Sequence, residues 1–449
     1  MAAPARAVKY SSLPLVVLAA TVALEAGERQ SLAQAVEGLQ QTFGVSDRVI
    51  GFLPAAMTLI AVPAAFPFGV LADKVRRTLL LSGAMFLWTI SMFLNAIAPG
   101  YGALFATRMC VGAVEANSPA TVSLLSDYYP VRNRARTMGL YQSGALVGAM
   151  VGLIGGGFAV AAGGWRWAFW MWVPLGALVG LAVARLPEPR RGDQDADFHD
   201  DGATALSVVD AGQIVERLHL PPPNRVGTLD YARATPREVY RELLRIPSMW
   251  FGVMALTVSG FLLNGLQFWG VEYFKRVHDL SAGAAGGFSA LFGLGAAGGI
   301  ITGGFIADSL LRRGVVNARV YIVSAASILA TVLLVPGFLS TNLGVSGPLL
   351  VVGGVFLTMP IAPGEAMVND VVVAQLRGRA ATVRSVVRSL SAAGYVLIGF
   401  LSDAFTLRVA IAGVVPLYAI GGVLMLLAAR SYPADLAFVG AEARRLREM

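Results

Sequence analysis

The chain has 449 residues, of which 56% are hydrophobic and 14% charged, with a formal net charge of +8. A soluble chain carries about a quarter of its residues charged, so an ordinary soluble domain is excluded. The basic residues cluster at the ends of long uncharged runs, where membrane orientation uses them, rather than in a patch suited to nucleic acid.

Each run is close to the ~20 residues that cross a bilayer as helix, and no alternating strand pattern supports a barrel. The chain therefore reads as an all-α membrane protein. Twelve transmembrane helices are predicted, at 12–40, 48–72, 78–97, 101–127, 136–162 and 167–186, then 249–276, 283–308, 319–339, 347–371, 380–404 and 409–430. Residues 1–186 make an N-terminal bundle of six helices and 249–430 a C-terminal one, with 431–449 as a cytoplasmic tail. The basic clusters Lys74/Arg76/Arg77, Arg132/Arg134/Arg136, Arg312/Arg313/Arg319 and Arg377/Arg379 fall in loops on one side, which puts both termini in the cytoplasm.

The central loop, 187–248, is the one long polar stretch. Its end reads as a short amphipathic helix: Thr235 as cap, Pro236 in the first turn, Glu238 at the third position. Val239, Leu243, Leu244 and Ile246 on that helix suggest that it lies on the membrane surface.

One phrase occurs twice. Gly69–Arg77 ends the second run with a small residue, an aspartate and a basic cluster, and Gly304–Arg312, followed by Arg313, does the same in the second half. Ser46/Ser281, Gly51/Gly286, Ala72/Ala307 and Asp73/Asp308 share one constant offset. Internal repeats of apolar segments mark secondary transporters. Asp73 and Asp308, with Arg76, Arg77, Arg312 and Arg313, are candidate elements of a cytoplasmic gate.

Charges within spans are costly, at least ~2.5 kcal/mol at a helix centre, so those present are candidate functional groups. The first span holds Glu25, Glu28 and Arg29, and the fourth holds Arg108 and Glu115. From the helical rise, Glu25 lies ~20 Å and Glu115 ~18 Å from the cytoplasmic ends of their spans. Glu28 and Arg108 both fall nearer the other leaflet and suit an ion pair, read either as a proton-coupling element or as a static bridge. In the second half, Asn264, Gln267 and Glu272 lie on span 7, Glu365 and Asn369 on span 10, and Arg384 and Arg388 on one face of span 11. Glu365 is the expected partner of those arginines, with an anionic headgroup as the alternative. Gly144, Gly148, Gly152 and Gly156, four apart on span 5, suit close helix packing.

Cys110 is the single cysteine, and His199, His219 and His278 lie in loops or at a span end, so no metal site and no cofactor is expected. The motifs H-E-x-x-H, G-x-S-x-G and the P-loop are absent, which argues against an enzyme.

The duplicated phrase resembles the G-x-L-A-D-x-x-x-R-R signature of the major facilitator superfamily. A narrower resemblance, to the spinster-like branch, rests on Glu28-Arg29 followed by Phe43-Gly44-Val45-Ser46-Asp47, and on Arg108, Gly112, Glu115 and Ala116 as R-x-x-x-G-x-x-E-A. The branch has aspartate where this chain has Glu28. The resemblance implies two six-helix bundles around a central cavity lined by spans 1 and 4. It also implies a monomeric, multi-pass transporter of the plasma (inner) membrane, whose partners are a small amphipathic substrate such as a lysophospholipid, protons and the bilayer. A proton-coupled drug or organic-acid exporter and a non-transporting membrane sensor are the alternatives.

Overall fold

The computed structural model describes residues 11–129, 134–189 and 235–448, and every regular element among them is helical. Among the described residues, ten helices are long and apolar enough to cross a membrane. The two further spans are the first and the fourth. Span 1, Leu13–Phe43, carries Glu25, Glu28 and Arg29 within its apolar stretch. Span 4 is interrupted, running Tyr101–Val114, then a tight turn Glu115–Asn117, then Ser118–Tyr128.

The remaining spans are Asp47–Lys74 (2), Arg77–Ala96 (3), Arg134–Gly163 (5), Trp167–Ala184 (6), Pro247–His278 (7), Ala282–Arg312 (8), Ala318–Leu339 (9), Leu343–Asp370 (10), Arg379–Ala404 (11) and Leu407–Ala428 (12). Local chemistry explains several ends. Gly44 closes span 1 in the left-handed region, φ 64°, and its amide donates to the Gln40 carbonyl, a conformation glycine adopts without a Cβ penalty. Span 10 breaks at Met359-Pro360, since proline cannot donate to the preceding turn.

The chain packs as two compact units. The first combines the spans of the first half with Gln267–Ala290 and Tyr395–Asp403; the second holds the rest of spans 7 to 12. In the first unit, spans 1 and 5 run side by side in the same direction. A Cβ built on Gly144, Gly148, Gly152 or Gly156 would fall closer than 3.0 Å to Ala19, Ala23, Gly27 or Ser31 in turn. The four-residue glycine spacing therefore sets the backbone-to-backbone approach of span 1.

In the second unit, the helix Pro236–Leu244 carries the expected capping box, with Thr235 and Glu238 bonded reciprocally. The face predicted to meet the membrane needs correcting. Val239, Leu243 and Ile246 are buried against Val320, Val368, Tyr432 and Leu436, and only Leu244 of the expected apolar set is exposed. The stretch expected as a tail forms a helix, Tyr432–Glu448. It buries Tyr432, Leu436, Phe438 and Val439 and caps span 7 through Asp435, which accepts from the Ser248 amide at 3.2 Å. The periodicity of the short helix is as read; its apolar face has a protein partner that the local sequence does not name.

The glycine ladder predicts a graded outcome. Gly152→Val, facing the Gly27 backbone, should abolish monodisperse folded protein in size-exclusion chromatography. Gly155→Val, whose Cβ meets only the Met171 Cε at 3.4 Å, should leave a folded peak.

Candidate functional site

Spans 1 and 4 bring two ion pairs together in the first unit, and burial separates them. Glu28 and Arg108 pair with both side chains fully buried. A second guanidinium nitrogen of Arg108 donates to the other Glu28 oxygen at 3.3 Å, Met57 Sδ also contacts that nitrogen, and the guanidinium lies 5.8 Å from the Phe169 ring centroid. One residue along, Arg29 pairs with Glu115, and here the Arg29 side chain is 50% exposed while Glu115 is 4% exposed. Glu25 is one turn before Arg29 and accepts from Asn117 Nδ2 at 3.4 Å. Glu115 stands at the end of the first segment of span 4, its amide still bonded to the Val111 carbonyl, and its carboxylate meets Arg29. All five residues expected in this cluster are therefore gathered, as one sealed pair and one accessible pair.

Packing explains the arrangement. Gly112, one turn after Arg108, lies against the Met57 backbone, so span 4 approaches span 2 closely there. Gly27 lies against Trp172 and Gly148, leaving adjacent Glu28 to face away from span 5.

In the second unit, Arg388 pairs with Glu365, with Arg388 47% exposed. Arg384 donates to Asn369 Oδ1 at 2.8 Å rather than to Glu365. Asn264 donates to Ser391 Oγ at 2.9 Å. Gln267 falls in the first unit and is exposed. Glu272 does not join these polar groups: it is fully buried and holds Lys275 at 2.8 Å and Arg276 at 3.1 Å near the end of span 7.

The duplicated basic phrase resolves unevenly. Arg77 is buried and pairs with Asp127 and, at 3.0 Å, with Glu188. Glu188 also accepts from the Thr78 amide at 2.9 Å. Burial works to raise the Glu188 carboxyl, but the Thr78 amide and hydroxyl and the Arg77 guanidinium outweigh it and hold it below its ordinary value. In the second half the corresponding buried arginine is Arg319, not Arg312 or Arg313, both of which are exposed. Arg319 joins Asp370 and, at 3.6 Å, Asp308, and the Tyr432 hydroxyl donates to Asp370 at 2.8 Å. The reason is loop length. Only Val75 and Arg76 separate spans 2 and 3, whereas 313–317 separate spans 8 and 9, so the arginine at the start of the odd span moves along the sequence. Arg76 is exposed. Asp73 closes span 2, and its side chain lies outside the described residues.

A further cluster was legible only as part of the Phe43–Asp47 phrase. At the end of the first unit opposite Arg77, Asp47 accepts from Arg276 at 2.7 Å, Ser402 at 2.6 Å and Gln40 at 2.7 Å. Asp403 accepts from the amides of Asp47 and Arg48 at 2.9 and 3.1 Å, capping span 2 from span 11. Lys275 reaches Glu37 at 2.6 Å. The charges near each turn gave the signal; their convergence from spans 1, 2, 7 and 11 has no sequence signature.

The sequence profile of the Major Facilitator Superfamily matches residues 18–394. The sphingosine-1-phosphate transporter SPNS2 of Mus musculus is 30% identical over 173 residues, 37% of this chain and 32% of that protein, so the match spans about a third of the relative's length. The D-galactonate transporter of Escherichia coli O6:H1 is 24% identical over 67% of this chain and 68% of its own. Among solved structures, a bacterial homolog of the human lysosomal transporter Spinster, inward-facing and occupied, superposes with a TM-score of 0.74 at 19% identity, covering 94% of this chain and 97% of that one.

Two variants distinguish the pairs. Arg108→Met strands a buried carboxylate and should destabilise by roughly 3–5 kcal/mol, read as a fall in melting temperature in detergent. Arg29→Met, at a half-exposed position, should shift the melting temperature far less. A third variant concerns pH. Because the Glu188 carboxyl is held low, its stabilisation is full above its unfolded pKa and is lost as pH falls through the folded value. Glu188→Gln should therefore flatten the acid limb of melting temperature against pH.

Proposed function

This chain belongs to the Major Facilitator Superfamily and resembles its spinster-like branch, and we propose that it is a proton-coupled carrier of amphipathic organic anions, with single-chain lysophospholipids as the lead class. It is a multi-pass integral membrane transporter of a small molecule. The observation that carries the finer reading is the contrast between a sealed pair, Glu28–Arg108, and an accessible pair, Arg29–Glu115, one residue away. The names of the two relatives support an anion: sphingosine 1-phosphate and galactonate share negative charge and little else.

In this reading Glu28–Arg108 is the fixed strut of spans 1 and 4. Arg29 is the group that a substrate phosphate or carboxylate engages. When its guanidinium turns to the substrate, Glu115 loses its counter-charge, and an uncompensated charge within the membrane is costly. Neutralising that charge with a proton would link proton uptake and anion binding at one site, with Glu25 and Asn117 as the adjoining polar groups. Within the second unit, Arg388 and Arg384 are the corresponding guanidinium groups. The basic loops face the cytoplasm, in the plasma (inner) membrane. The Arg77 cluster stabilises one end of the first unit and the Asp47–Arg276 cluster latches its other end, while the Arg319 cluster holds the second unit by itself. A state-specific latch biases the equilibrium between conformations in proportion to the free energy it contributes in one of them.

Flux into proteoliposomes under an imposed pH gradient tests the reading. Labelled lysophospholipid should enter faster than into protein-free liposomes, with a rate that follows the gradient. Glu115→Gln should retain binding but lose the gradient dependence. Arg29→Ala should raise KM by about tenfold or more, the loss of one charge-assisted hydrogen bond. Transport of a sugar acid without lysophospholipid would replace the lipid reading with the organic-acid one. Flux no greater than through empty liposomes for both substrates would favour the sensor. If Glu28→Gln removes gradient dependence while Glu115→Gln does not, the coupling site is the sealed pair instead.

A further inference from the structure

The short helix before span 7 has two faces, and only one is used by the protein. Val239, Leu243 and Ile246 are buried in the second unit. The other face presents Arg237, Tyr240, Arg241 and Leu244, spaced as i, i+3, i+4 and i+7 and so aligned along one side. Tyr240 is 52% and Leu244 66% exposed. An open concavity over this side is lined by Thr235, Arg237, Glu238, Tyr240, Arg241 and Leu244.

We propose that this outer face docks on the anionic phospholipid headgroups of the surrounding bilayer, holding the helix at the membrane surface. Charge complementarity commits the face to that occupant. Of the carboxylates on the helix, Glu238 is engaged in the capping box with Thr235, and Glu242 faces Arg245 at 3.6 Å. Arg237 and Arg241 make no ion pair among the described residues, so their charge is available to phosphate. Tyr240 and Leu244 between them supply the apolar contact that an interfacial helix places below the headgroups.

Position places the face at the right depth. The helix ends at Leu244 and span 7 begins at Pro247. The Trp250 indole donates to the Leu243 carbonyl at 3.1 Å, which pins the end of the helix to the first turn of the span. Ser248 is held in turn by Asp435. The helix is therefore fixed within a turn or two of the hydrocarbon boundary, the level at which tryptophan and basic side chains concentrate. The apolar stripe that the sequence assigns to the membrane is spent on the protein, and the opposite stripe meets the lipid.

The test uses the full chain, and its single cysteine makes it direct. In a Cys110→Ser background, Leu244→Cys carries a spin label. Collision rates with oxygen, which partitions into lipid, and with a water-soluble nickel complex report its depth. The protein is reconstituted in phosphatidylcholine and in equal parts of phosphatidylcholine and phosphatidylglycerol. The label should favour oxygen, and more so with phosphatidylglycerol. Arg237→Gln with Arg241→Gln should remove that extra immersion. These substitutions are on the surface, where folding is little affected. At about 1 kcal/mol per arginine near an anionic surface, the pair should weaken phosphatidylglycerol binding, titrated by native mass spectrometry, by about thirtyfold. Equal access to the nickel complex in both membranes overturns the proposal. Shielding from both quenchers would show a protein segment or a second copy on the face, and also overturns it. Immersion without dependence on phosphatidylglycerol or on the two arginines overturns the headgroup assignment. None of these readouts involves transport, so they stand or fall apart from the transported substrate.

Discussion

A carboxylate and a guanidinium enclosed in a hydrocarbon slab must satisfy each other where they stand, and the Glu28–Arg108 pair imposes that demand on its neighbours. Its geometry is set by backbone proximity. The glycines of span 5 let span 1 come close enough for Gly27 to touch span 5 and span 6, which leaves Glu28 pointing elsewhere. Gly112 lets span 4 approach the Met57 backbone, which delivers Arg108 to the same place. A larger residue at either contact would separate two buried charges, each costly alone. Small residues and charges in this half are thus one device: the first permits the approach that the second requires.

Glu115 gives the cluster its second pair. It lies two turns beyond Arg108, at the end of the first segment of span 4. Its carboxylate meets Arg29 and makes one accessible pair beside one sealed pair. For a carrier, this division is useful chemically. The sealed pair resists exchange with water and holds the helices, while Arg29 of the other pair is half exposed.

Duplication shows the same physics from another side. Each half buries an arginine at the start of its third span against an aspartate from the end of its fourth, Arg77 with Asp127 and Arg319 with Asp370. Each cluster is completed by a group following the sixth span, Glu188 in one half and Tyr432 in the other. The contact is retained although its residues no longer occupy equivalent places in the repeated phrase, because a longer loop shifts the sequence without moving the start of the helix.

How much of this could be read beforehand follows from the range of each interaction. Segment length, apolar composition and basic run ends are local, so the twelve helices, the glycine spacing, the capping box at Thr235 and the cost of charges at Glu28 and Arg108 were legible in the sequence. Depth along a straight helix even placed Glu28 opposite Arg108. Partner choice was not legible wherever a loop length or a distant helix intervened: Glu115 with Arg29, Arg388 rather than Arg384 with Glu365, and Arg319 rather than Arg312 or Arg313 at the basic end. The burial of Val239, Leu243 and Ile246 belongs with these. An amphipathic period states that one face is apolar, and only the tertiary structure, by folding the Tyr432–Glu448 helix and spans 9 and 10 against it, decides whether that face meets lipid or protein.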